Sequence, residues 1–121
     1  MAPNVTAFTA SDFGRTYTCN GSGSDHGWGG HHLVLGGSVA GGKLYGSIPI
    51  PGLDTHGALT LVDPTNGLSL DVGQGRLLPT VATDIYAATL AQWMGVLQPG
   101  ELASVLPNIG NFGAQNLGFL G

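Results

Sequence analysis

Between Ser11 and His32 the chain gathers two Asp, one Arg, three His and six Gly within 22 residues: S-D-F-G-R-T-Y-T-C-N-G-S-G-S-D-H-G-W-G-G-H-H. Carboxylates and imidazoles are the side chains that hold a divalent metal, and glycine lets backbone fold closely around one. Asp25-His26 with His31 and His32 is the densest ligand cluster. His26 and His31 stand five apart across G-W-G-G, a loop able to curl both rings toward one ion. In a strand, His31 and His32 would face opposite ways, so one of the two is expected to join. A mixed Asp/His set suits Zn²⁺, Mn²⁺ or Fe²⁺, with copper next, better than the all-oxygen sites of Ca²⁺ or Mg²⁺. The alternative is that these imidazoles only hydrogen-bond loop carbonyls.

Asp12 and Arg15 are the candidate catalytic pair. Asp12 ends an expected strand, where α/β sheets place ligands, and Arg15 can hold a phosphate or sulfate through two hydrogen bonds. A local Asp12–Arg15 ion pair is the competing expectation. G-S-G-S-D at 21–25 lacks the lysine and helix of a phosphate-cradling loop. No G-x-S-x-G elbow supports a serine hydrolase. Cys19 reads as a small buried thiol, His56 as an exposed loop residue, Trp28 as an aromatic anchor for a glycine-rich loop, and Trp93 as core.

The elements that must position these residues are short. Asn4–Ala10 and His32–Leu35 read as strands, and Leu44–Ile50 as an edge strand closed by prolines. Thr16–Gly30 has no period and reads as a long loop. Ala58–Val62 and Leu68–Val72 suggest a hairpin across the Asp63–Gly67 turn. A helix is predicted after Thr80 as N-cap, with Tyr86, Leu90, Trp93, Met94 and Leu97 on its apolar stripe and Gly95 as its stop. A second helix is predicted over Pro99–Leu106. The Asn108–Gly121 tail offers Ile109, Phe112, Leu117, Phe119 and Leu120 as docking points.

The 121 residues predict one domain, residues 1–121. Charged residues are 8% of the chain, against about a quarter in an ordinary soluble domain. Such a surface is either polar and neutral or apolar and covered, which points to a homo-oligomer. Net charge is −4, with three Lys+Arg. That excludes a basic nucleic-acid footprint. No apolar stretch reaches the length of a membrane span. Residues 1–6 show no signal peptide, and a single Cys excludes an internal disulfide.

Several of these stretches together resemble a known family: S-D-F-G-R-T, G-S-D-H-G-W-G-G-H-H, G-G-S-V-A-G-G-K-L-Y-G, G-R-L-L-P-T, D-I-Y-A-A-T-L-A-Q-W-M-G, V-L-P-N-I-G-N-F and N-L-G-F-L. The chain is similar to the C-terminal part of a large bacterial family of uncharacterised, sulfatase-like proteins. It is a domain-of-unknown-function family of the alkaline phosphatase superfamily, often exported by the twin-arginine route. The resemblance implies an α/β class. The chain would be a fragment of a sandwich with a mostly parallel sheet, β-rich in its first two-thirds, then one long and one short helix. It implies hydrolysis of phosphate or sulfate esters with bound metal, and an exported or periplasmic location. Asp12 falls at the strand-end position and Asp25, His26 and His31 at the later metal cluster. Where better-known phosphatases carry Asp-His, this chain has Asp12-Phe13, one ligand fewer. The superfamily's nucleophile lies on an earlier strand, outside the matched segment. Metal-bound water would then replace it, Asp12 orienting the water and Arg15 holding the anionic group. The alternatives are a non-enzymatic, glycine-rich assembly module with a structural His cluster, or a small redox metalloprotein.

Overall fold

The computed structural model describes residues 2–121. Chain order runs from a 3-10 turn at Ala2–Asn4 through six strands to two helices. The strands are β1 (Thr6–Phe8), β2 (Gly14–Cys19), β3 (Ser24–Gly27), β4 (Val34–Gly36), β5 (Ile50–Leu53) and β6 (Leu59–Val62). The helices are α1 (Thr83–Trp93) and α2 (Pro99–Val105), followed by a 3-10 turn at Ile109–Asn111. The class is therefore mixed α/β with a β-rich first part. β1 pairs with β4, β2 with β3 and β5 with β6, each pair antiparallel. No parallel pair occurs among the described strands. The β2–β3 and β5–β6 links are four and five residues long, whereas a parallel return needs a dozen or more.

Contacts divide the chain into two compact units. The first comprises residues 1–8, 34–45 and 81–121. Its core is Ala88 of α1, Leu102 of α2 and Ile109 beyond them, with Ala91, Val96, Leu106 and Phe112 packed around. α1 ends as its sequence requires. Gly95 adopts φ +105°, which a side chain would resist. Its N–H donates to the Gln92 carbonyl, and that of Val96 to Ala91, two bonds that close the final turn. α1 begins at Thr83 rather than after Thr80, whose hydroxyl instead accepts from the Ser47 N–H at 3.1 Å. Met94 and Leu97, expected on the buried stripe, are exposed: Met94 caps the end of α1 and Leu97 lies beyond it. Trp93 is half-buried.

The tail docks at several of the expected positions. Phe119 is buried between Tyr45 and Tyr86, with ring centroids 5.7 Å away in both cases. Thr89, 1% exposed, fastens it: its hydroxyl donates to the Ile85 carbonyl and accepts from the Leu117 N–H, both at 2.9 Å.

The second unit comprises residues 9–33 and 46–80. The predicted hairpin partners do meet: Val62 bridges Ser69, and the Leu70 N–H donates to the Leu61 carbonyl. The longer ladder of β6, however, is with β5, Ile50 facing Val62 through to Leu53 facing Leu59. The edge strand therefore lies at Ile50–Leu53, later than the predicted Leu44–Ile50. Pro51 sits in it, on a strand that pairs on one side.

Asp63 closes the turn after β6. One carboxylate oxygen accepts from the Thr65 N–H at 2.9 Å, the Thr65 hydroxyl at 2.7 Å and the Ser47 hydroxyl at 3.2 Å. The other accepts from the Asn66 amide at 3.3 Å. These donors, Thr65 first, hold the Asp63 pKa below its ordinary 3.8, against the opposing effect of burial. A depressed folded-state pKa stabilises above the unfolded value and stops doing so as pH falls through the folded one. Asp63→Asn should therefore lower the urea midpoint at pH 6, and the deficit should shrink toward pH 2.5. A deficit equal at both pH values would contradict this.

Candidate functional site

All six candidate residues lie in the second unit, and the glycine-rich segment that holds them is a hairpin rather than a long loop. T-Y-T-C supplies β-branched and aromatic residues for β2. Asn20-Gly21 then turns the chain. Gly21 takes φ +92°, the Asn20 side chain accepts from the Ser22 N–H at 3.0 Å, and the Asn20 N–H donates to the Gly23 carbonyl at 2.9 Å. An Asn-Gly pair after such a run is a hairpin signal, and it marks the fold that composition alone hides.

The register of this hairpin sorts the candidates. Gly14 faces Gly27, Arg15 faces His26, and Cys19 faces Ser24, with a bulge between Arg15 and Cys19. Residues directly opposite in an antiparallel pair share a face. Arg15 and His26 are thus on one face, and strand alternation turns Asp25 to the other. On that other face the Asp25 carboxylate accepts from the Asn20 amide at 2.7 Å. The Asp25 N–H donates to the buried Thr16 hydroxyl at 3.0 Å.

On the Arg15 face, the Phe13 ring stacks on the His26 imidazole, with centroids 3.7 Å apart and planes 17° from parallel. The Arg15 guanidinium carbon lies 5.2 Å from the centre of the same ring. One guanidinium nitrogen donates to the Ser24 carbonyl at 2.7 Å. That bond anchors one arm of the guanidinium and leaves its other N–H groups directed elsewhere.

The remaining candidates are exposed. Asp12 is exposed, immediately before Phe13. His32 Nδ1 lies 3.4 Å from the Thr9 hydroxyl, and His31 is exposed. Among the described residues, no three His, Cys, Asp or Glu side chains are gathered closely enough to hold a metal ion. As arranged, the set does not fit the metal that the family resemblance implies, because Asp25 and His26 point to opposite faces. Cys19 is exposed at the hairpin end rather than buried. Its sulfur accepts from the Gly21 N–H at 3.3 Å. Trp28 is 68% exposed, so it does not anchor its loop by burial. His56 is exposed, as expected. Phe13 is the residue that reading for ligands passed over, because a phenyl ring binds no metal and no anion by itself.

Fold and site together describe a small α/β protein that carries an arginine, a histidine and an aromatic ring on one hairpin face. The model of a family of proteins of unknown function, DUF1501, matches residues 1–101, and the chain belongs to that family. No curated protein and no solved structure matches it. No helix among the described residues is long and apolar enough to cross a membrane.

Proposed function

We propose that the chain binds the anionic group of a phosphate or sulfate ester through Arg15 and His26. It would do so as a sulfatase-like module derived from the C-terminal part of an alkaline-phosphatase-type sandwich. The carrying observation is the exposed Arg15–His26 cross-strand pair, with Phe13 against both groups. The two ring distances keep the guanidinium carbon within about 9 Å of the imidazole centre, so both groups stand in the same neighbourhood of the hairpin. Arg15 supplies a permanent positive charge and a planar fork of donors, and the imidazole supplies an N–H. A tetrahedral anion offers acceptor oxygens to both groups at once. The site is open to water, so its affinity is modest, with Kd on the order of 1 mM. Phosphate titrated at constant ionic strength should shift the Arg15 side-chain and His26 ring resonances saturably. Arg15→Ala should weaken binding at least fivefold, and chelator should change nothing. Linear, unsaturable shifts in the wild type would overturn the reading.

Self-association is a second reading, favoured by apolar exposure on one hairpin. On β5–β6 the cross-strand pair Leu53 and Leu59 is 63% and 79% exposed. No charged residue lies in either strand, so this face can meet its own copy without like-charge repulsion. Light scattering at micromolar concentration should find a dimer that Leu59→Lys dissociates. A wild-type monomer would count against it.

A further inference from the structure

We infer that Phe13 is a positioning residue for the oxyanion site, restraining the Arg15 guanidinium and the His26 imidazole against one ring. The inference rests on the anion-binding reading above.

Arg15 and His26 are both exposed, and exposed long or hinged side chains sample several rotamers. A site built from two such groups loses affinity to the ordering that binding demands. Phe13 removes much of that freedom. Its ring covers one face of the imidazole at 3.7 Å and meets the guanidinium at 5.2 Å, so one rigid plane restrains both donors. The guanidinium is further drawn to the ring by its negative face.

Phe13 is itself held in place. It is half-buried, its carbonyl accepts from the Ser11 hydroxyl at 2.9 Å, and the next residue enters the Gly14–Gly27 pair. The Ser24 carbonyl fixes the other end of the arrangement by accepting from Arg15. The two donors therefore stand in place before the anion arrives. The Asp25 carboxylate lies on the opposite face with Asn20.

The requirement is for a flat π face and not merely for apolar bulk. Phe13→Leu keeps volume and hydrophobicity but offers no plane to the imidazole and no quadrupole to the guanidinium. Phe13→Tyr keeps both. Inorganic phosphate is the probe, titrated at constant ionic strength and followed through the Arg15 side-chain and His26 ring resonances. The backbone amide spectrum serves as the check on folding.

Phe13→Leu should weaken phosphate threefold to tenfold while amides away from the hairpin keep their positions. Phe13→Tyr should bind within twofold of wild type. Leucine binding as tightly as phenylalanine, in a wild type that does bind, overturns the positioning role and leaves the anion site standing. So does tyrosine failing alongside leucine. A wild type that shows no saturable shift overturns both. If the leucine variant loses its amide dispersion, the comparison passes to Phe13→Met, which keeps an unbranched apolar chain and should show the same loss.

Discussion

Gly14 lies so close to the Gly29 carbonyl that a Cβ there would fall 1.8 Å from the oxygen. Opposite it, a Cβ on Gly27 would meet the Arg15 carbonyl at 3.2 Å. The backbone at this end of the β2–β3 hairpin closes because Gly14 carries no side chain, and a Cβ on Gly27 would fit only if its neighbours gave by a few tenths of an ångström. That closure sets the register, and the register sets everything the segment can do. A slip of one residue would exchange the faces, replacing His26 by Asp25 opposite Arg15. The bond from Arg15 to the Ser24 carbonyl, the Phe13–His26 stack and the Asp25–Asn20 contact all follow from Gly14 facing Gly27. The segment at 74–77 reinforces it. The Tyr17 N–H donates to the Gly75 carbonyl at 2.9 Å, that of Gly29 to Leu77 at 3.0 Å, and the Thr18 hydroxyl to the Gln74 carbonyl.

The same logic explains what 22 glycines do in a chain with so few charges. At Gly52 a Cβ would strike the Val62 side chain at 2.6 Å, and at Gly75 it would strike Tyr17 at 2.8 Å. Backbone packs directly on neighbouring chain, so hydrogen bonds between main-chain groups carry much of the cohesion that side-chain burial carries elsewhere. The buried apolar set is accordingly small: among the described residues, seven hydrophobic ones fall in it, from Val62 to Phe119. A fold of this kind leaves apolar side chains such as Leu53 and Leu59 on its surface.

Legibility in the sequence followed the strength of the local signal. Gly95, Pro99 and Glu101 marked the helix ends because glycine and proline restrict the backbone itself, and the Gln98 N–H does donate to the Glu101 carboxylate. Ile109 and Phe119 were recognisable as tail anchors since a large apolar residue in a polar stretch has few other uses. The Asp63–Gly67 turn was equally plain, though not the ring of donors around its carboxylate, which includes Ser47 from a distant part of the chain. Residues 14–27 misled for a physical reason. Their Gly, Ser and Asn content is that of a loop, and the strands form because each backbone finds its partner, not because side chains alternate. The ligand cluster is divided for a related reason: Asp25 and His26 are adjacent in sequence, and adjacency in a strand means opposite faces. What could be read was that Asp12–His32 gathers three of the four His with two Asp and an Arg. Which of its members act together depended on register, which composition does not encode.

The decisive measurement is a nuclear Overhauser spectrum of the side chains in this hairpin. Cross-peaks between the Phe13 and His26 rings, with contacts from the Arg15 side chain to Phe13 and none from His26 to Asp25, would establish the face on which the account rests. Cross-peaks joining the His26 ring to the Asp25 side chain and to His31 or His32, with none to Phe13, would contradict it and put the metal-ligand cluster in its place.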